Sequence, residues 1–387
     1  MLSKRIQSLS TSITIAITTL ALELKAEGKD ILSFSAGEPD FDTPIEIKEA
    51  AKKALDDGKT KYTAIPGTPE LLKAVAKKLK RDNNLDYTTN MIQTNNGAKH
   101  SLFNLFQALI DEGDEVIIPA PYWVTYPEVV NYSGGISVII NTDDTTNFKI
   151  TPQQLQDAIT PKTKILVLTT PSNPTGSVYS KEELEGLAKV LKGTDILVFS
   201  DEMYEKLIYG DVKFTALASI SDDMFQRTVT INGLSKSASM TGWRFGYLAT
   251  PKIELVSAMN KLQSQSTSNI SSITQAAAIA GLDGSIENRV EEMRKIFEQR
   301  RDEAYELINN IDGLSVIKPD GAFYLFINIK SISSDSMEFS KQLLAEEGVA
   351  VVPGIAFGAE GYIRLSFATD IDTIREGIKR IERFISK

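Results

Sequence analysis

Residues 232–247 read NGLSKSASMTGWRFGY. An apolar run, Thr228–Ile231, leads into Asn232–Gly233, a dipeptide that predicts a tight turn. Ser235 and Lys236 follow side by side, Arg244 stands beyond them, and a second apolar run, Phe245–Ala249, closes the stretch. A nucleophilic lysine must be held where it can lose its proton, and a strand end is a firmer mount than a loop. A hydroxyl beside it and a fixed guanidinium together suit a phosphate. A single lysine near an arginine is ordinarily a solvated surface pair. The whole string is a more specific pattern.

Around this stretch, short apolar runs alternate with helical periodicity. Strands are expected near Met91–Thr94, Glu115–Pro119, Ile136–Ile140, Lys164–Thr169, Ile196–Ser200, Thr228–Ile231 and Phe245–Ala249. Helical patterns such as Lys99–Ile110 and Lys181–Lys192 lie between them. Such alternation predicts an α/β fold, with the seven runs forming a mainly parallel sheet covered on both faces. Upstream, Glu46–Asp57 and Glu70–Asn83 read as helices, the second with its lysines on a solvated face. Ile13, Ile17, Leu20 and Leu24 recur at helical spacing, and Thr14, Thr18 and Thr19 interrupt the apolar run. An amphipathic helix ending at Gly28 is therefore expected there, not a signal peptide. Downstream, a charged helix over about Ile286–Asn309 leads into a tail of mixed strands and helices, such as Ala322–Ile329, Ser336–Glu347 and Thr373–Ile385. The expected division is a large domain over 45–285 and a smaller α+β domain built from 1–44 and 286–387.

Composition removes several function classes. A chain of 387 residues exceeds one ordinary core, and 42% hydrophobic with 24% charged residues is a globular balance. A net charge of −9 argues against a nucleic-acid partner. The absence of cysteine excludes disulfides, thiolate metal sites and a cysteine nucleophile. A single histidine, His100, excludes a multi-histidine metal site and leaves little for a Ser-His-Asp mechanism. No charge-free apolar stretch reaches about 18 residues, so no membrane span is expected and the cytoplasm is the expected location. The chemistry falls to Lys, Asp, Tyr or a bound cofactor.

The loops after the expected strands carry the remaining candidates. Asn95-Asn96-Gly97-Ala98-Lys99 closes one strand and opens a helix, whose first amides and dipole make an anion site. An ordinary strand–helix turn has the same composition, so Ser235 and Arg244 are needed to make it a phosphate cradle. Tyr122 and Trp123 follow the second strand, placed either in the core or against a flat heterocycle. PSNPTG (171–176) brings the Asn173 amide to the strand ends, where open α/β sheets bind ligands. DEMYE (201–205) sets Asp201 after the fifth strand and Tyr204 three positions on. A helix cap with a surface tyrosine accounts equally well for that segment alone. Arg364 lies within the apolar run Tyr362–Thr369 and needs an anionic partner, either a structural Asp or Glu or a substrate carboxylate.

Together these segments resemble the class I aminotransferases that use pyridoxal 5'-phosphate (PLP), nearest the bacterial aspartate aminotransferase branch. The resemblance runs from SAGEPDFDTP (35–44) to RLSFAT (364–369), with the motifs in family order. It implies PLP fold type I, a homodimer, and reversible amino transfer between L-aspartate and 2-oxoglutarate. It implies Lys236 as the Schiff-base lysine and Asp201 as partner of the pyridine nitrogen, with Tyr204 and Asn173 at the phenolic oxygen and Trp123 stacked on the ring. Ser235, Arg244, Gly97 and the amides of Ala98 and Lys99 match the phosphate binders, and Tyr62 one that reaches across from the partner subunit. Arg364 and Gly37, beside Trp123 and Asn173, match the substrate site; Lys99, Ser12 and Thr14 match positions that receive a distal carboxylate. One departure counts. Some relatives that accept prephenate carry Lys-Pro just before the serine corresponding to Ser12; here the pair is Ser10-Thr11, which argues against prephenate activity. An aromatic or broad-range aminotransferase and a PLP-dependent β-lyase share most of these motifs. A transcription regulator with an aminotransferase-like domain would add a basic helix-turn-helix stretch, which this sequence does not show.

Overall fold

All seven expected strands join one sheet in the computed structural model, which describes residues 2–387. After a short β1 (Leu32–Ser33) they are β2 (Ile92–Asn96), β3 (Glu115–Ala120), β4 (Ile136–Asn141), β5 (Thr163–Thr169), β6 (Leu197–Asp201), β7 (Thr228–Gly233) and β8 (Phe245–Ala249). Their spatial order is β2-β8-β7-β6-β5-β3-β4. Every neighbouring pair is parallel except those made by β8, which is antiparallel to both β2 and β7. The carboxyl ends of β2, β3, β5, β6 and β7 therefore share one edge. Because β8 runs the other way, its beginning lies at that same edge, with Arg244 just before it.

The central strands β3, β5 and β6 read as largely apolar runs because both faces are covered, whereas β2 buries the polar Gln93, Thr94 and Asn95 and the edge strand β4 leaves Ile136 and Ile139 partly exposed. Val116, Ile118, Val167 and Phe199 pack on Leu102, Leu105 and Phe106 of the helix Ala98–Leu109. Ile117, Leu166 and Val198 face the other way, onto Leu184, Leu187 and Leu191 of the helix Lys181–Leu191. That second helix starts at a capping box. The Glu183 amide donates to Ser180 Oγ at 3.2 Å, and the Ser180 amide donates to the Glu183 carboxylate at 2.7 Å.

The tail supplies β9 (Ser315–Val316), β10 (Tyr324–Asn328), β11 (Val349–Ala350), β12 (Val352–Pro353) and β13 (Tyr362–Ser366). Four of these form an antiparallel sheet, β12-β13-β10-β9. The fifth, β11, pairs in parallel with β1, Leu32 opposite Val349, so the two chain ends meet. That pairing supports the division we propose, with 1–44 and 286–387 forming the smaller unit.

Three local expectations are corrected. Asn232 and Gly233 do not turn; they continue β7, paired with Tyr247 and Gly246. The glycine serves close approach, since a Cβ there would stand 2.7 Å from the Phe245 carbonyl oxygen. The lysine face of the helix Pro69–Asn83 is not wholly solvated: Lys78 is buried and paired with Glu205. The N-terminal helix, Ile13–Ala26, forms as expected, yet Ala21 is its one fully buried residue. Within the stripe Ile13, Ile17 and Leu24 are half-buried and Leu20 is 43% exposed, so it is only partly covered.

Candidate active site

The shared edge of the sheet opens into a cleft of about 490 Å³. Residues from both chain ends complete its wall, among them Ser12, Thr14, Gly37, Tyr324 and Arg364. Of the residues singled out from sequence, Ala98, Lys99, Trp123, Asn173, Asp201, Tyr204, Ser235, Lys236 and Arg244 also line it, so segments far apart in the chain converge on one space.

Lys236 sits in the turn directly after β7, and its Nζ donates to the Gly37 carbonyl. Burial lowers this amine to about 8; Glu38 opposes the shift, while the Arg364 and Arg244 charges reinforce it. An amine held there is neutral in an appreciable fraction near neutral pH, as a nucleophile or proton carrier requires.

Asp201 ends β6, with no helix following to be capped, and Tyr204 is buried rather than superficial. Asp201 Oδ2 accepts from Tyr126 Oη at 2.6 Å, and Oδ1 accepts from the Met203 amide at 3.3 Å. No cation forms an ion pair with it among the described residues. Burial accordingly raises its pKa, opposed by the Tyr126 hydrogen bond. A buried carboxylate in this state has room for one strong cationic donor from the cleft, as a protonated ring nitrogen would supply.

The other end of the cleft is built for an anion. The helix Ala98–Leu109 leaves its first amides without intrahelical acceptors. Gly97, at φ +80°, precedes it, and a Cβ there would stand 2.5 Å from an Arg244 nitrogen. Gly246 allows the same closeness from the strand side, where a Cβ would meet the Ala98 nitrogen at 2.3 Å. Arg244 itself adopts φ +57° and donates to the Thr241 carbonyl at 2.9 Å. Ser235 lines the same end. Amides, a hydroxyl and a guanidinium around a glycine-made gap suit a phosphate. With the Asp201 carboxylate and Trp123 lining the same cleft, the residues fit a flat, phosphorylated, cationic ring.

Arg364 lies on β13, fully enclosed, and none of its partners is an acid. Nη1 donates to Asn173 Oδ1 at 2.9 Å and Nη2 to the Ser35 carbonyl at 2.8 Å, while the buried Nε has no partner. The structural Asp or Glu that the sequence left open is not there. Burial lowers its pKa, which marks a charge short of an anion. Lys99 Nζ sits 4.9 Å from the Trp123 ring centroid and likewise forms no ion pair among the described residues. Of the candidates, Gly97 stands just behind the cleft wall, before Ala98, and Tyr62 lies outside the cleft of its own chain, 91% exposed.

Sequence reasoning missed Tyr126, Tyr324 and the Ser35 carbonyl. Tyr126 stands three positions after Trp123, in the same stretch that follows the second strand, and only its helical spacing points inward. Tyr324 sits in a strand whose aromatics read as core.

The aminotransferase class I and II profile matches residues 29–381. The aspartate aminotransferase of Bacillus subtilis is 49% identical over 100% of this chain and 99% of its own length. The aspartate/prephenate aminotransferase of Nitrosomonas europaea is 45% identical over 100% of both chains. The Thermus thermophilus aspartate aminotransferase structure with maleate superposes at a TM-score of 0.95, with 42% identity over 99% of both chains. The Rhizobium meliloti aspartate aminotransferase structure superposes at 0.96, with 40% identity over 100% of this chain and 99% of that one. The chain is a member of the class I and II aminotransferases.

Proposed function

We infer that this protein is a PLP-dependent aspartate aminotransferase, exchanging the amino group between L-aspartate and 2-oxoglutarate. The observation that carries the substrate reading is Arg364: a buried guanidinium facing the cleft, with one orphaned nitrogen and no acidic partner among the described residues. The full-length relatives named aspartate aminotransferases support the same reading. PLP, when bound, supplies an electron sink for the pair of electrons left when the substrate α-carbon loses its proton.

The chain's own residues do the rest. Asp201, braced by Tyr126, would hold the ring nitrogen protonated, Tyr204 and Asn173 would attend the ring oxygen, and Trp123 would lie against the ring. Ser235, Arg244, Gly97 and the amides of Ala98 and Lys99 hold the phosphate. Arg364, with Gly37, Asn173 and Trp123 around it, would orient the α-carboxylate, and Lys236 Nζ would take the α-proton and hold it for return.

Lys99, Ser12 and Thr14 serve the distal carboxylate. A dicarboxylic donor needs a second cation opposite Arg364, and Lys99 is free to be it; maleate, in the Thermus structure, is such a diacid. Lys99→Ala is expected to cut kcat/KM for aspartate and glutamate roughly tenfold or more, as a lost charge-assisted contact of about 1.5–3 kcal/mol implies. Alanine and phenylalanine, with no second carboxylate, are expected to be nearly unaffected. Equal losses for acidic and neutral donors would assign Lys99 to the phosphate and favour an aromatic or broad-range enzyme. Relatives named for prephenate are almost as similar as those that are not, so similarity does not separate the two activities. Ser10-Thr11 in place of Lys-Pro supports aspartate without prephenate.

The working unit we propose is a cytoplasmic homodimer. Its support is Tyr62, whose nearly complete exposure suits a side chain offered to a neighbouring subunit's phosphate. Tyr62→Ala and Lys236→Ala, unfolded and refolded together, are expected to recover part of the activity each lacks, because mixed dimers hold one site with both residues. A monodisperse, active monomer would sink the proposal.

A further inference from the structure

Tyr324 is fully buried on β10 and touches two groups of the site at once. Its hydroxyl lies 2.8 Å from that of Tyr204. Its ring lies under Arg364, whose Cζ is 4.4 Å from the ring centroid and 5.0 Å from that of Phe357. Gly37 leaves space for the hydroxyl: a Cβ there would stand 3.0 Å from it. A core aromatic needs only its ring. A buried hydroxyl is retained where it has a partner, and this one meets the phenol that faces the cleft.

We propose that Tyr324 is a positioning residue that joins the carboxylate clamp to Tyr204: its ring is the platform under Arg364, and its hydroxyl fixes the Tyr204 phenol and tunes its strength as a donor. The inference rests on the aminotransferase reading, in which Arg364 holds the α-carboxylate and Tyr204 attends the ring oxygen. Burial raises both phenols, and the Arg364 charge pulls each the other way. A carboxylate that neutralises Arg364 is therefore felt at both hydroxyls, and through them at the cofactor.

The test uses the PLP-loaded enzyme and maleate, a diacid with no amino group to transfer. The pH midpoint of the visible absorption band is measured with and without saturating maleate. Tyr324→Phe keeps the ring and deletes the hydroxyl. It is expected to bind maleate within about twofold of wild type, because the platform under Arg364 survives. Its midpoint is expected to rise by about half a pH unit or more, since a weakened donor leaves more negative charge to hold the lysine-nitrogen proton. Its response to maleate is expected to fall by at least about half, since the link to Arg364 is cut. Tyr324→Leu deletes the platform and is expected to weaken maleate binding about threefold to thirtyfold.

Tyr204→Phe and the double variant close a cycle. Hydroxyls acting as one unit give a double variant with the midpoint of Tyr204→Phe alone; additive shifts overturn the proposal. Should Tyr324→Phe not fold, Tyr204→Phe is read with maleate: a lost response supports the link, and a wild-type response overturns it. A folded Tyr324→Phe with wild-type midpoint and response overturns the proposal and leaves the aminotransferase reading standing. Wild-type protein with no visible band in the presence of PLP overturns both.

Discussion

Lys236→Ala is expected to lower transamination by at least about 10⁴-fold, because one amine is lost both as nucleophile and as proton carrier. The cleft is expected to persist, since the contact removed is a single donation to the Gly37 carbonyl. Borohydride is expected to fix PLP covalently to Lys236 of the wild-type protein, read as a mass increase that survives denaturation, and to leave the variant without bound cofactor after denaturation. A variant transaminating at the wild-type rate would refute the assignment. The lowered amine adds a pH signature to the cofactor-free protein. Only the neutral amine is acylated by acetic anhydride, an electrophile that does not itself titrate, so acetylation of Lys236 is expected to rise as pH passes through about 8. Surface lysines are expected to follow only as pH nears about 10.4. Residue-by-residue mass spectrometry across that range separates the two, and a Lys236 profile superposed on the surface lysines would remove the electrostatic account.

Asp201→Ala is expected to retain PLP through the phosphate end, where Ser235, Arg244 and the helix start are untouched. Turnover is expected to drop by about 10²–10³-fold or more, the scale on which removal of one preorganised charge is felt. The physical reason is the protonation of the ring nitrogen: without a buried carboxylate opposite it, the ring is a poor electron sink. Tyr126→Phe is expected to act in the same direction and more weakly, because it removes the 2.6 Å brace on Asp201 and leaves the charge. The check is kcat beside PLP content for each variant. Unchanged kcat in Asp201→Ala at full PLP content would mean that the carboxylate serves the fold alone.

Much of this molecule was legible in one dimension. The central strands, buried on both faces, read as largely apolar runs, the others were located by their alternation with helical patterns, and the Gly, Pro and Asn turns between them marked the loops that bear chemistry. Lys236 and Asp201 were readable because each follows such a run, and local chain order places both at its end. Arg364 could be flagged as a cation in need of an anion, since a charge in an apolar strand is costly wherever it lies. Which anion was a different matter. Only the fold showed that its nearest partners are the Asn173 amide and the Ser35 carbonyl, far away in sequence, and that no Asp or Glu arrives. Lys78 went the other way: a lysine on a polar helix face became buried because Glu205 comes over it from across the fold. Asn232–Gly233 looked like a turn, and the neighbouring β8 made it strand. Tyr126 and Tyr324 look like any core aromatics until their hydroxyls are seen against Asp201 and Tyr204. Local propensity and burial are written along the chain, whereas the partner of a polar group is set by long-range packing, and a residue's chemistry is completed only by that partner.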